Sequence, residues 1–413
     1  MTRPATRRYI VPGRIELVGK HVDYAGGRSL TCAVDRAITA DARPLDAPLV
    51  RVRDAARRSI VEVPLLPGIE RTHGSARWSS YVVAVARRFA RDFPRARVGI
   101  EVRVTSTLPP SAGLSSSSAL TVAIGSALAD ANGMDSRAAW RAAVPDELAR
   151  AEYFGAMETG APYGPFTGDA GVGARGGAQD HVAILCAREE SVGQFSYLPA
   201  RLERRVPWPS EYALAIGVSG VSATKTGNAR ARYNRVSDST RALVRVWNET
   251  TGRTDDTLAR AIASAPDAGE RLSHLAEQGT EEFDGDYLGP RFAQFREEVE
   301  VIVPGVGDAM RDRAFDALGR LVDRSMAMAE LALRNQVAET SFLTRAARHG
   351  GAVAASAFGA GFGGAVWAMV RTEDADSFLE HWRAAYLAKF PSRAEHAQWL
   401  VTRPAGPARL DTE

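Results

Sequence analysis

Residues 110–120 read PSAGLSSSSAL. Four consecutive serines stand between a glycine and an apolar run, and their reading decides what sort of fold this is. The residues that follow, ALTVAIGSALADANG, predict a buried helix ending at Gly133. The first N–H groups of a helix have no partner within it and point outward, and the helix dipole puts partial positive charge there. Gly113 lets the backbone come close to an anion, and the serines add hydroxyl donors and a metal-coordinating oxygen. The stretch therefore reads either as a phosphate cradle or as a capped linker. No GxxxxGK[ST] occurs in the chain, so it is not the ordinary P-loop.

Two further glycine clusters bear on the choice. GAGFGG at 359–364 formally matches the dinucleotide fingerprint, but AVWAMV follows it and predicts a strand where that fingerprint needs a helix. A glycine-rich bend between two strands, close to another backbone or a ligand, fits better. PGRIELVGKHVDYAGG at 12–27 gathers Arg14, Lys20, His21 and Asp23 around glycines beside a strand. That density of polar groups suits either a polar small-molecule site or a charged hairpin.

The chain of 413 residues suggests two domains, and 45% hydrophobic residues are enough for a sizeable core. A net charge of +3 argues against a nucleic-acid partner. Cys32 and Cys186 sit among apolar residues and read as core residues rather than a disulfide or metal site. No apolar stretch reaches the ~18–20 residues of a membrane span, and the N-terminus has no signal-peptide core, so a cytoplasmic protein is expected. The first 65 residues alternate as strands do, and helical spacing runs from Tyr81 to Phe93. The glycine-rich stretch 159–180 predicts a long loop, of the kind that is functional or disordered. Residues 199–212 are the candidate crossing between domains 1–205 and 206–413. Helices then fill about 238–349, followed by a strand–loop–strand, a helix near 374–388 and a strand near 398–402.

In order and position, PGRIELVGKHVDYAGG, LPPSAGLSSSSAL and FGAGFGGAVWAMV resemble motifs one, two and three of the GHMP kinases. The first resembles the galactokinase-like branch, whose pattern is close to G-R-x-N-x-I-G-E-H-x-D-Y-x-G-G. The resemblance runs from about residue 9 to 370. It implies an α+β fold with a ribosomal protein S5 domain 2-like N-terminal domain and a ferredoxin-like C-terminal domain. ATP and substrate would bind between them.

By that resemblance Gly113, Leu114, Ser115, Ser116, Ser117 and Ser118 wrap the phosphates, with Gly361 from motif three. Ser117 takes the Mg²⁺-coordinating hydroxyl and Glu152, in ARAEYFGA, the carboxylate ligand. GGAQDHVAIL resembles the stretch G-x-M-D-Q, which makes Asp180 the catalytic aspartate, with Arg14 beside it and Gly177 at the sugar. Such a base must reach the hydroxyl whose proton it takes. WSSY places Trp78 and Tyr81 at the adenine, while SGVSATKTGNARARYN gives Tyr233 to the sugar and Lys225 to a phosphate. His21 and Asp23 are expected to hold ring hydroxyls.

The chain departs from the pattern at Lys20, where galactokinases have a glutamate that helps hold the outer sugar hydroxyl. Lysine cannot accept a hydrogen bond. Either Lys20 faces an anionic group on the substrate, such as a uronate, or it pairs with a nearby carboxylate and leaves a neutral sugar in place. Residues 159–177 are longer than their counterpart and are expected to act as a flap. The expected activity is ATP- and Mg²⁺-dependent phosphorylation of a monosaccharide at its anomeric hydroxyl. The alternatives are a non-catalytic sensor on the same fold or a kinase for a non-sugar alcohol. The sequence leaves the oligomeric state open.

Overall fold

A computed structural model describes residues 5–70, 78–222 and 228–412. Alternation near the N-terminus becomes a long antiparallel pair, β1 (Arg7–Val18) against β2 (Arg28–Leu45). β3 (Leu49–Asp54) and β4 (Ser59–Pro64) form a hairpin. β5 (Gly99–Ser106) lies between β2 and β3, antiparallel to the first and parallel to the second. β6 (Ser191–Ser196) pairs with the start of β2, and β7 (Arg201–Pro207) with β6. Helices α1 (Ser79–Asp92), α2 (Ser116–Ala131), α3 (Ala138–Ala143), α4 (Glu147–Thr159) and α5 (Gln179–Leu185) accompany this sheet. The helix expected after the serines is α2. It is buried on nearly every side, as its almost uniformly apolar sequence requires.

The second sheet holds β8 (Tyr212–Val218), β9 (Ala354–Ala357), β10 (Ala365–Arg371) and β11 (Gln398–Thr402), in the order β11-β8-β10-β9 and antiparallel throughout. Between β8 and β9 run α6 (Asn228–Thr251), α7 (Leu258–Ala263), α8 (Ala268–Gln278), α9 (Gly285–Glu297), α10 (Val303–Arg311), α11 (Phe315–Met328) and α12 (Ala338–His349). α13 (Ala375–Lys389) joins β10 to β11. In chain order within the sheet this is 4-1-3-2, the βαββαβ arrangement of ferredoxin-like folds. Among the described residues, no helix is long and apolar enough to cross a membrane.

Two details differ from the sequence reading. The stretch 199–212 is not an open crossing: β7 occupies most of it, and only 208–211 link the sheets. The division at 205/206 is also not clean, because β12 (Arg409–Asp411) returns to pair with β1, Arg8 opposite Asp411. The halves also interlock at the tip of motif one. There Val22, Tyr24 and Ala25 are buried in an apolar cluster with Trp247, Leu258, Leu288 and Phe295. Arg291 donates to the His21 carbonyl at 2.7 Å, Gln294 to the Lys20 carbonyl at 3.0 Å, and the Gly19 N–H to Glu298 at 2.9 Å. The last of these ties the π-helical turn Glu298–Ile302 to the motif.

Candidate active site

The site begins with β1. Its register slips between Pro12 and Arg14 and again between Glu16 and Val18, and such bulges re-aim side chains. Between the slips, residues two apart share a face. Ile15 and Leu17 point into the apolar core, while Arg14 and Glu16 line a polar cavity. Gly13 allows this, since a Cβ there would meet the Leu114 carbonyl at 2.7 Å. The Arg14 N–H donates to that carbonyl at 3.2 Å, stitching motif one to motif two.

The serine turn is wound for close approach. Gly113 has φ 83° and Ser115 φ 56°, and Ser115 caps α2 in the left-handed conformation without using its side chain as a cap. Its hydroxyl donates instead to Asp180 Oδ2 at 2.7 Å. Asp180, in the first turn of α5, also takes Arg14 Nε at 2.7 Å and Nη2 at 2.6 Å on Oδ1. Arg14 Nη1 donates to the Gly113 carbonyl at 2.7 Å. Burial works against the Arg14 charge, but Asp180 and Glu16 outweigh it and hold the guanidinium above its ordinary value.

His21, Asp23, Gly177 and Tyr233 line the same cavity as Arg14 and Asp180. The His21 ring lies 2.9 Å from the Tyr24 hydroxyl and packs on Tyr233 with centroids 5.0 Å apart. Asp23 Oδ2 accepts from the Gln179 N–H at 3.3 Å, and a Cβ at Gly177 would lie 2.5 Å from it. Motif three is the turn between β9 and β10, as its strand-flanked glycines predict. Its Ala360 carbonyl faces His21 at 3.3 Å, and Phe358 packs on Gly113, so all three motifs meet here. Gly361, φ 71°, lies against Asn335 rather than in the cavity.

Several expected residues stand elsewhere. Glu152 does not reach the serines: it accepts from the Ala200 N–H at 2.7 Å, and burial raises its carboxyl above the usual range. Glu158, one and two-thirds turns further along α4, takes that place, with Ser118 Oγ at 3.1 Å and His181 Nε2 at 3.2 Å. Ser118 rather than Ser117 is the serine aimed at both Glu158 and Asp180. Ser117 is half-buried outside the cavity, and its carbonyl takes Thr121. Ser116 is exposed and Leu114 is buried. Lys20 is fully buried and donates to Ser325 at 3.0 Å beside Glu298, so it faces protein carboxylates and not the cavity. Trp78 and Tyr81 begin α1 outside the cavity and pack on the first core. Lys225 lies outside the described residues.

Nor is 159–177 a free flap. Arg87 holds Asp169 at 2.6 and 2.9 Å, Arg88 donates to the Ala161 carbonyl at 2.8 Å, and Asn234 donates to the Gly173 carbonyl at 3.0 Å. Its Ala174, Gly176 and Gly177 form part of the cavity wall. Glu16, Gln179 and His181 also line it and were not singled out from the sequence. Glu16 and His181 depart from the quoted family patterns, which have Asn and Gln there, and that was the available signal.

Comparison with known proteins places this geometry. The family models for the GHMP kinases N-terminal domain and the GHMP kinases C-terminal domain match residues 80–156 and 308–388. The chain belongs to the GHMP kinases. Within them it is galactokinase-like, for the galactokinase galactose-binding signature matches residues 3–44. The fold is similar to that of Lactococcus lactis galactokinase complexed with galactose, at 20% identity and TM-score 0.77, over 98% of this chain and 95% of that one. It is also similar to L. major mevalonate kinase in complex with R-mevalonate, at 14% identity and TM-score 0.55, over 98% of this chain and 100% of that one. A third likeness is to homoserine kinase from Cytophaga hutchinsonii, at 16% identity and TM-score 0.53, over 98% and 97% of the two chains.

Proposed function

We propose that this chain transfers the γ-phosphoryl group of ATP to the anomeric hydroxyl of a neutral monosaccharide, with galactose the first candidate. The observation that carries the reading is Asp180. It is held on one side by Arg14 and on the other by Ser115, at the meeting point of the three motifs and open to a polar cavity. Arg14 and the serine hydroxyls fix the carboxylate's orientation, and a substrate hydroxyl would take the place of a serine on Oδ2. Asp180 accepts the proton of that hydroxyl as the oxygen attacks phosphorus. Arg14 stabilises the charge spreading over the transferred group. The first turn of α2, with its unpaired N–H groups, faces the phosphates.

The donor set fits a hard cation. Ser118 Oγ and Glu158 Oε2 supply oxygen ligands on one side, and phosphate oxygens and water would complete the shell of a magnesium ion. Bound there, Mg²⁺ neutralises phosphate charge. Trp78 and Tyr81 are the candidates for the adenine. A uronate loses its rationale, since Lys20 is committed to Ser325 and stands beside Glu298. A non-catalytic sensor would have no use for so constrained an Asp180.

The test is ADP release from ATP and Mg²⁺ across free sugars including galactose, glucose, arabinose and galacturonate. Turnover with a neutral sugar, lost by at least about 1,000-fold in Asp180→Asn while ATP still binds, is the expected result. Equal turnover by Asp180→Asn would end the proposal.

A further inference from the structure

One wall of the cavity is not used by this chemistry. Glu16 leaves β1 two residues after Arg14 and is 3% exposed. Its Oε2 accepts from Gln179 Nε2 at 2.6 Å. Its Oε1, equally enclosed, meets no hydrogen-bond donor among the described residues, although Glu16 lines the cavity. A buried acceptor without a donor is unusual and calls for an explanation. The groups around it are Arg14, Lys20, Gln179 and Glu298, with Tyr197 and Tyr233 nearby. The Gly359 backbone closes against the same carboxylate, so any side chain at 359 would run into it. Motif three thus spends a glycine on making room for Glu16.

We propose that Glu16 is a specificity residue whose Oε1 accepts a hydrogen bond from a sugar hydroxyl other than the one phosphorylated. The proposal rests on the sugar-kinase reading. In the galactokinase pattern position 16 is asparagine and the acid stands at position 20. Here position 20 is a lysine turned into the protein, and the acid stands on the strand four residues earlier. The acceptor has moved within the motif, from the turn to the strand.

The experiment uses the full chain, the best neutral sugar and its series of monodeoxy analogues, each lacking one hydroxyl other than that at C1. Values of kcat and KM are measured for wild type and for Glu16→Gln. The amide presents either an N–H₂ to the cavity or an N–H₂ to Gln179, so one of the two acceptors is lost whichever way it turns. Wild type should reject one analogue by about 100-fold or more. Glu16→Gln should cut that discrimination below about 10-fold through a higher KM for the parent sugar and for the analogues that keep the recognised hydroxyl, leaving KM for ATP and for the rejected analogue in place. An unchanged deoxy profile, or a uniform fall across all sugars, overturns the assignment while leaving the kinase reading intact. A wild type that phosphorylates no sugar overturns the kinase reading and the assignment with it. Should the amide fail to fold, Glu16→Asp keeps an acceptor and should retain the same rejected analogue with a raised KM; loss of that rejection counts against the proposal.

Discussion

Glu16 holds its proton up to about pH 7, because burial penalises the charge more than Lys20 and Arg14 relieve it. The folded carboxyl therefore titrates above the unfolded one, whose ordinary value is 4.5. Its contribution to stability is full below about pH 4.5, falls as pH rises towards 7, and stays lost above that. Without sugar, Glu16→Gln should be more stable than wild type at pH 8, by on the order of 2–3 kcal/mol, and the difference should close towards pH 5. Urea unfolding at the two pH values measures this, and an equal gap at both would show that the carboxyl carries no such burden. At this scale Arg14, His21, Asp23 and Asp180 could be picked out from motif spacing, and the fold brings them together. Lys20 could not be placed, because its partners Ser325 and Glu298 lie far along the chain and no local pattern announces them.

At the scale of elements, α4 carries two carboxylates that the fold turns towards different neighbours. Six residues separate Glu152 from Glu158, which turns them roughly 120° apart on a helix. One faces the Ala200 N–H and the other the first turn of α2. Glu158→Gln should raise the Mg²⁺ concentration needed for half-maximal rate by about tenfold or more, as losing one charged oxygen ligand would. Glu152→Gln should leave that requirement alone and cost about 1–2 kcal/mol of stability. Titrating the rate with Mg²⁺ for both variants decides which face of the helix holds the ion. The register of a helix against its neighbours is set by tertiary packing, which is why the sequence pointed to a carboxylate of α4 but not to the one that faces α2. β7 was misread for a related reason. RLERRVP is polar and mostly exposed, so it lacks the apolar alternation of a half-buried strand, and its pairing with β6 defines it instead.

Across the whole molecule, the order of the three motifs carried the α+β architecture and the ferredoxin-like second half. It did not carry the interlocking. The motif-one tip is core to the helices of the other half, and β12 closes the outer edge of the strand that bears Arg14 and Glu16. The stretch before β12 adds the Ala405 N–H to the Ala33 carbonyl at 3.0 Å and the Ala408 N–H to the Ile184 carbonyl at 2.9 Å. Deleting residues 403–413 should therefore lower stability by a few kcal/mol, at about 1 kcal/mol for each lost backbone bond, and loosen β1. Hydrogen exchange at Tyr9 and Ile10 should accelerate in the truncated chain while β8 and β10 stay protected. Unchanged protection in β1 would show that β12 is ornamental to the sheet.

That same pairing fixes a timetable for synthesis. Residues 7–18 leave the ribosome early, and β2 can cover one side of them at once. The other side of residues 8–10 waits for residues 409–411, and the tip of motif one waits for the helices around Leu288 and Phe295. Until those residues are made the nascent chain exposes an open strand edge and an apolar turn, the two features most prone to wrong pairing. The strand that carries the site is thus made long before its outer edge at residues 8–10 is covered.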